Sequence, residues 1–292
     1  MSPLSRRNFL KTGAAGALAG VSSIPLHAKK ATATDPVALG KSGVHVTRLA
    51  FGTGTHNGNV QRSLGQDGFT SLVRYAYDHG IRFFESAQAY PEMHQMLGIA
   101  LKGLPRESYV LMSKVTTDDA DPRQTIDTIR QQMQTDYVDI MLLHVQNKAT
   151  WPTDSARWQD GISEMQQRQA IRARGASVHG LPALRQVPTN EWLQIAMIRM
   201  NHKGAHMDAA DPKTHGPGDV DEVVEHVKQA RKAGLGVISM KLIGEGSFTD
   251  HTDRQQAMRF AFHHAGVNAV TVGYKSTTEI DEAIQNVNLA LA

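Results

Sequence analysis

Short apolar runs alternate with segments of helical periodicity along most of the chain, and this alternation constrains the fold more than any other feature. The eight apolar runs read RLAFGT, IRFFES, YVLMSKV, VDIMLLHV, IRARGASV, LQIAMIRMN, GVISMKLIG and NAVTVG. The helical segments between them include residues 68–79, 122–134, 220–233, 253–264 and 277–291. Because each helix returns the chain to the same edge of the sheet, neighbouring strands run parallel. We predict a single (β/α)8 TIM barrel, which is an α/β fold.

Two further patterns bear on this fold. The stretch LGKSGVHVTRL precedes the first strand and predicts an N-terminal β-hairpin that closes the bottom of the barrel. An open, doubly wound sheet is the alternative, but it calls for Gly-x-Gly-x-x-Gly after the first strand, where FGTGTHNG has another glycine spacing. Asp121 and Pro122 indicate a helix start, and the glycines of KAGLGV and HHAGV indicate helix ends.

The N-terminus has the pattern of a targeting segment. Arg6 and Arg7 precede an apolar run from Gly13 to Ile24, which is too short and too weakly apolar to span a bilayer. The pair, followed by Phe-Leu-Lys, resembles the twin-arginine signal, which implies the Tat translocase as a partner, export of a folded protein and a periplasmic destination. We predict a signal peptide and linker over residues 1–33 and the barrel over 34–292. A frayed basic N-terminus is the alternative.

Charge and cysteine content exclude several classes of protein. The chain holds 31 basic and 28 acidic residues, a formal net charge of +3, and three of the basic residues lie in the first 28 positions. The remainder is therefore formally neutral, which gives no basis for a nucleic-acid partner or a stable membrane anchor. The absence of cysteine rules out a disulfide, a thiolate metal site and a thiol nucleophile. We expect a monomer.

Ionisable residues stand at the ends of three consecutive predicted strands. Glu85 ends the second strand, Lys114 the third and His144 the fourth, and Tyr90 follows on the loop after Glu85. The C-terminal strand ends of such a barrel form its active-site mouth, so these side chains should converge. A phenol becomes a useful acid when an ammonium group stabilises its anion, and a carboxylate can hold that ammonium in place. This set suits reduction of a carbonyl group, with hydride from a nicotinamide and a proton from Tyr90.

At these residues the sequence resembles the aldo-keto reductase family over nearly the whole mature chain. GIRFFESAQAYPEMHQMLGIAL is similar to the family stretch G-I-x-F-F-D-T-A-x-x-Y-G, and YVDIMLLHV to Y-(I/V)-D-L-x-L-L-H. The resemblance implies Tyr90 as general acid, Lys114 as the partner that lowers its pKa, and His144 as the residue that orients the substrate. It places the family's carboxylate at Glu85.

Several positions depart from the family pattern. Glu85 replaces aspartate and lengthens the side chain by about 1.5 Å. Pro91 stands in place of a glycine, and the family's Ser-Asn pair reads Ser177 and Val178. The family's glutamine falls on Met197, four residues before Asn201, and its stacking aromatic falls on Met240.

The resemblance also implies a nicotinamide dinucleotide cofactor. Ser177 and Asn201 match the family's nicotinamide contacts, while Lys241, Gly244 and Gly246 match its pyrophosphate contacts. Lys275 and Ser276 match its adenine end, with Glu282 in the family's Glu-Asn pair. This set favours NADP(H), with NAD(H) as the alternative. The same residues also fit an ordinary helix cap followed by an amphipathic helix.

Side chains at the rim of the mouth are less specific. His56 and Trp151 are candidate substrate contacts, although Trp151 also suits packing against the barrel. The loop NHKGAHMDAADPKTHGPG gathers His202, His206, Asp208 and His215. This loop fits a cover over the substrate better than a metal site, and we predict no metal.

The predicted function is therefore reduction of an aldehyde, ketone or sugar-like substrate with NAD(P)H. A periplasm offers no evident pool for recycling NADPH, and the nicotinamide contacts are altered. The alternative is a barrel that has lost carbonyl reduction and acts as a sugar-type isomerase or lyase, or as a small-molecule binding protein.

Overall fold

The computed structural model describes residues 30–207 and 217–292. Its strands are β1 Pro36–Ala38, β2 His45–Thr47, β3 Leu49–Gly52, β4 Phe83–Glu85, β5 Val110–Val115, β6 Val138–Gln146, β7 Ile171–Val178, β8 Ile195–Arg199, β9 Gly236–Met240 and β10 Ala269–Gly273. Its α-helices are α1 Asn59–Arg62, α2 Gly65–Asp78, α3 Met93–Leu101, α4 Pro122–Gln132, α5 Trp151–Asp154, α6 Ala156–Gln167, α7 Leu181–Leu184, α8 Val220–Ala233, α9 His251–Arg259 and α10 Thr277–Leu291.

Strands β3 to β10 form a closed parallel barrel. Each strand pairs with its neighbour in the chain, and β10 pairs with β3 to complete the ring. This closure confirms the predicted (β/α)8 barrel and excludes the open sheet. All eight apolar runs of the sequence became barrel strands, because strands covered by helices outside and side chains inside are buried on both faces.

The predicted hairpin closes the bottom of the barrel. Strands β1 and β2 pair antiparallel, and Leu39, Val44 and Val46 belong to the same apolar cluster as the interior strand residues. Gly40 permits the close approach: with φ +53°, it lies where a Cβ atom would stand 2.3 Å from the carbonyl oxygen of Gly234. Only glycine fits this contact without moving the backbone.

Helix ends follow the local signals in the sequence. The Asp121 side chain accepts hydrogen bonds from the amides of Arg123 and Gln124 at 2.8 and 3.2 Å, which caps α4. Gly234 ends α8 in the left-handed conformation. The helix predicted over residues 253–264 is α9 followed by a π-helical turn at Phe260–Ala265. Within the described ranges, no helix has the length and apolarity needed to cross a bilayer.

Strand alternation positions the polar side chains of the mouth. Phe83, Met112 and Leu142 fill the barrel interior. Glu85 lies two residues after Phe83 and Lys114 two residues after Met112. His144 lies two residues after Leu142. Because side chains two apart share a face, these three groups also point inward, one layer nearer the C-terminal end.

Candidate active site and cofactor groove

Glu85 and Lys114 form a buried ion pair at the mouth of the barrel. The two side chains are 4% and 1% exposed, and the ammonium group contacts Glu85 Oε1 directly. Lys114 Nζ also donates to the carbonyl oxygen of Ser86 at 3.0 Å. Thr271 Oγ1, from β10, which lies two strands from β4 around the barrel, donates to Glu85 Oε2 at 3.3 Å. The longer acidic side chain is thus held on both oxygens and still reaches the lysine.

Tyr90 lies against this pair and against His144. Lys114 Nζ lies 5.0 Å from the centroid of the Tyr90 ring, and the ring packs edge-to-face with His144 at a centroid distance of 5.7 Å. The phenol oxygen abuts Gly54, where a Cβ atom would stand only 2.5 Å away. The structure therefore brings together all four residues of the predicted catalytic set.

The expected ion pair of Glu85 with Lys114 is present, while the pKa of Tyr90 is shifted upward. Burial raises the pKa of Tyr90 well above its ordinary value, and the carboxylates of Glu85 and Glu245 raise it further. Burial lowers the pKa of Lys114, while Glu85 opposes this shift. The lysine charge is engaged by Glu85, so the phenol stays protonated in this arrangement.

His144 is held as a neutral imidazole. Burial lowers its pKa well below the ordinary value, and the charges of Lys114, Lys241 and Arg199 act in the same direction. A β-bulge follows it: Val145 has φ +53° and turns outward, and Gln146 Nε2 donates to the carbonyl oxygen of His144 at 2.7 Å. A left-handed β-branched residue is strained, and here the strain accompanies the placement of a site histidine.

A second histidine and an arginine continue the site beyond His144, and sequence reasoning missed both. The His179 ring packs edge-to-face with His144 at 6.0 Å. Its Nδ1 accepts from Arg199 Nη2 at 2.5 Å, and its Nε2 faces Ser177 Oγ at 3.2 Å. Since arginine only donates, His179 carries its proton on Nε2. Strand alternation was the available signal, because His179 lies two residues after Ser177 and Arg199 two after Met197.

A groove of about 540 Å³ leads away from Tyr90 across the mouth. Glu85, Tyr90, Met197 and Met240 line its deep end. Its walls then follow the loop after β9 and end beside the start of α10. Of the predicted cofactor and substrate contacts, the groove is lined by Lys241, Gly246, Lys275, Glu282 and His56.

Other predicted contacts lie outside the groove lining. Ser177 is buried and faces His179 and the Met240 sulfur. Asn201 holds its own loop, accepting from the amides of Lys203 and Ala205 at 3.1 and 3.0 Å. Gly244 lies behind Gly246 with φ +58°, and Ser276 caps α10.

Trp151 faces the hydrophobic core and not the groove. Its side chain is almost fully buried, and its indole donates to the carbonyl oxygen of Ala183 at 3.2 Å. Of the two roles considered from the sequence, this contact supports packing against the barrel.

Each cation lining the groove contacts a carboxylate that also lines it. The three pairs are Lys241 with Glu245, Arg254 with Glu282, and Lys275 with Glu279. Lys241 and Glu245 both have left-handed backbone conformations, with φ +58° and +56°. Backbone strain of this kind persists where the surrounding structure imposes it, and strained residues cluster at active sites and ligand-binding segments.

Two buried polar atoms at the far end of the groove suit recognition of a ligand. Asn286 Oδ1 and the Tyr274 hydroxyl have no hydrogen-bond partner among the described residues, and both residues line the groove. Buried polar atoms of this kind are costly unless a ligand or water satisfies them. Asn286 was missed in the sequence because it lies one helical turn beyond the position where the family pattern has asparagine.

The histidine-bearing loop after β8 is only partly described. His202 Nε2 lies 3.6 Å from Asp253 Oδ1, and its ring packs on Phe248 at 5.4 Å. Asp208 and His215 lie outside the described residues. Within 30–207 and 217–292, no cluster of three histidine or acidic side chains is arranged to hold a metal ion.

A closed parallel barrel with a Tyr-Lys-Glu-His mouth and an elongated groove defines a barrel of the aldo-keto reductase type. The chain belongs to the aldo/keto reductase family, whose family model matches residues 48–258. A second model, for the signal sequence of the twin-arginine translocation pathway, matches residues 3–22. The chain therefore combines a barrel of this family with a twin-arginine export signal.

Curated relatives match parts of the chain. "Probable aldo-keto reductase 1" from Glycine max is 41% identical over 85 residues, which cover 27% of this chain and 23% of that protein. L-galactose dehydrogenase from Arabidopsis thaliana is 32% identical over 118 residues, 37% of each chain. The matched segments thus span well under two thirds of these two proteins.

Solved structures match the fold across most of the chain. An aldo-keto reductase from Bacillus halodurans, in its holo form, superposes with a TM-score of 0.68 at 19% identity, covering 87% of this chain and 91% of that one. An aldo-keto reductase from Klebsiella pneumoniae in complex with NADPH has a TM-score of 0.66 at 17% identity, covering 90% and 91%.

Proposed function

We propose that this protein is an exported, NAD(P)H-dependent reductase of aldehyde or ketone groups, with Tyr90 as the general acid. The observation that carries the proposal is the position of Tyr90. Its ring lies between Lys114 and His144 at the deep end of a long groove. A proton donor and a cofactor-sized groove meet at one point, as carbonyl reduction requires.

The groove residues fit a nicotinamide dinucleotide. The family resemblance supports a pyrophosphate position near Lys241 and Gly246, where the groove loop has its left-handed residues. Asn286 and Tyr274 offer polar atoms for the adenosine end. Met197 and Met240 present apolar, polarisable surfaces at the deep end, where a nicotinamide ring would rest. When bound, the cofactor supplies the hydride that reduces the carbonyl carbon.

The chain's own residues handle the proton. Tyr90 donates its phenolic proton to the substrate oxygen as that oxygen gains negative charge. Lys114 then stabilises the phenolate, and Glu85 holds the ammonium in place beneath the ring. His144, neutral and edge-on to Tyr90, donates a hydrogen bond that orients the carbonyl oxygen.

Export and substrate class follow from other features. The twin-arginine signal supports transport of a folded protein to the periplasm. L-galactose dehydrogenase, among the relatives, acts on a sugar by its name, which supports sugar-like carbonyl compounds as substrates here.

Replacement of Tyr90 by phenylalanine tests the proposal. Tyr90→Phe removes the proton donor and keeps the ring, so kcat for aldehyde reduction should fall by about 10²-fold or more, with dinucleotide Kd changed by less than about threefold. Tyr75→Phe is the matched control, since it removes a hydroxyl that contacts Asp281 on the outer surface. Unchanged turnover in Tyr90→Phe, with intact binding, would refute the acid role.

A non-redox barrel is the second candidate. It is favoured by the methionines at Met197 and Met240, which present no amide to a nicotinamide carboxamide, and by the pairing of Lys241 with Glu245. Such a protein would be a sugar-type isomerase, a lyase or a small-molecule binding protein. Calorimetry with NADH and NADPH separates the candidates, because only the reductase binds either one.

A further inference from the structure

We propose that Glu279 makes the adenosine end of the groove selective for NAD(H) over NADP(H). The inference rests on the proposed function and on the family resemblance, which matches Lys275 and Ser276 to the adenine end of the cofactor. It reverses the preference that the sequence pattern favoured. The reason is that Lys275 and Ser276, the groups that would bind a 2′-phosphate, already contact Glu279.

Glu279 occupies the place where an added phosphate would be received. Its Oε2 accepts from the backbone amide of Lys275 at 2.8 Å, and its Oε1 lies 3.8 Å from Lys275 Nζ. Its own amide donates to Ser276 Oγ at 3.3 Å, which caps α10. Glu279 thus contacts the lysine side chain and amide through its carboxylate, and the serine hydroxyl at the start of α10 through its own amide. Glu279 also lines the groove.

The groove's arginine offers no substitute. Arg254 Nε and Nη2 donate to the two carboxylate oxygens of Glu282 at 2.5 and 2.9 Å. Its Nη1 donates to the carbonyl oxygens of Phe248 and Thr249 at 3.0 and 2.7 Å. The guanidinium therefore ties the groove loop to α10, and phosphate binding would have to break that tie.

The chemistry of the two cofactors differs at one ribose oxygen. NAD(H) presents a 2′-hydroxyl, which donates a hydrogen bond that a carboxylate accepts. NADP(H) presents a 2′-phosphate, which a carboxylate repels and which cations or free helix-terminal amides attract. Lys275 is the nearby cation, but its side chain is 69% exposed and already faces Glu279. The negative charge of Glu279 and its role as a hydrogen-bond acceptor therefore both favour the 2′-hydroxyl of NAD(H).

Titration calorimetry of the mature protein with NADH and NADPH tests the inference. We expect NADH to bind at least tenfold more tightly in the wild type. Glu279→Gln keeps the size and removes the charge, and it should bring the two Kd values within about threefold. Glu279→Arg should reverse the preference. Glu191→Gln makes the same charge change on the exposed loop before β8, far from the mouth, and should leave the ratio unchanged.

The outcomes separate the inference from the proposed function. A wild type that binds NADPH as tightly as NADH, or more tightly, would overturn the inference and leave the reductase proposal standing. A ratio unaffected by Glu279→Gln would also overturn it, because the preference would then arise elsewhere. Binding of neither dinucleotide would overturn the proposed function and the inference with it.

Discussion

Lys114 lies over the face of the Tyr90 ring, with Nζ 5.0 Å from the ring centroid, while its hydrogen bonds go to Glu85 and to the Ser86 carbonyl oxygen. The ammonium group is close enough to stabilise a phenolate by its charge, and a cation over an aromatic face is itself a favourable contact. In the described residues, the phenol hydroxyl has no hydrogen bond to the lysine. The carboxylate of Glu85 therefore controls how much of the lysine charge the tyrosine experiences.

Removal of the Glu85 charge should impair turnover. Glu85→Gln leaves Lys114 buried without its counterion, so kcat for aldehyde reduction should fall at least tenfold, equivalent to about 1.4 kcal/mol. Because loss of one partner of a buried pair is costly, we also expect a loss of about 3 kcal/mol in the free energy of unfolding. Steady-state kinetics and denaturant unfolding measure the two effects separately. Equal kcat in Gln and Glu forms would show that Glu85 has no part in catalysis.

The length of this side chain is tested by Glu85→Asp. The structure holds Glu85 between Thr271 and Lys114, so the shorter residue cannot keep both contacts. We expect kcat to fall, but less than in Glu85→Gln, since the charge remains. An increase in kcat would instead mean that the longer residue impairs the enzyme.

Gly54 fixes the position of the Tyr90 hydroxyl. A methyl group at residue 54 would overlap the phenol oxygen, at 2.5 Å from it. Gly54→Ala should therefore displace the ring and lower kcat at least tenfold, with a far smaller change in dinucleotide Kd. Gly68→Ala is the control, because its nearest neighbour, Leu64 Cβ, stands at 3.4 Å within the first turns of α2. If Gly54→Ala and Gly68→Ala have equal kcat, the contact does not position Tyr90.

His94 makes the stability of the protein depend on pH below neutrality. Burial lowers its pKa to about 4 from an ordinary value of 6.5, and its two ring nitrogens contact Gln132 and Ser113 at 3.2 and 2.8 Å. Above pH 6.5 both folded and unfolded states hold it neutral. As the pH falls from 6.5 to 4 only the unfolded state binds the proton, so about 3 kcal/mol of stability is lost.

Unfolding free energies between pH 7 and 4.5 measure this contribution. His94→Gln should lower stability at pH 7 and flatten its dependence on pH. His45→Gln, at an exposed position of β2, should leave the pH dependence as in the wild type. Identical slopes in the wild type and His94→Gln would contradict the assignment.

We expect export to depend on Arg6 and Arg7, which lie outside the described residues. A receptor reads this pair, so replacing both by lysine preserves the charge but should retain the protein in the cytoplasm. Cell fractionation followed by immunoblotting gives the distribution. Periplasmic protein from the Lys-Lys variant, at wild-type level, would argue against the twin-arginine route.

The amino-acid sequence by itself determined the architecture. The apolar periodicity of each strand and helix is set by residues close together in the chain, and burial of the apolar faces in the fold then stabilises these elements. The eight apolar runs became β3 to β10, the hairpin ahead of β3 closed the bottom, and helices 220–233 and 277–291 have the predicted bounds. The family and the export signal were also legible, since both depend on residues close together in the chain. The convergence of Glu85, Tyr90, Lys114 and His144 followed from strand ends in a barrel, although their catalytic roles stay predictions.

The tertiary structure alone decided how the charges of the site are used. Which carboxylate meets which cation depends on side-chain reach between different elements of the fold, as with Arg254 and Glu282 or Lys114 and Glu85. The sequence predicted that Glu85 would hold Lys114 near Tyr90, and the structure adds that the hydrogen bonds of Lys114 go to Glu85 and to the Ser86 carbonyl oxygen. The sequence left Trp151 open between a substrate contact and packing on the barrel, and its buried ring and indole hydrogen bond support packing. The periodicity of the sequence predicts the strand or helix face on which a side chain lies. The contacts of that side chain depend on how the elements pack in the folded protein.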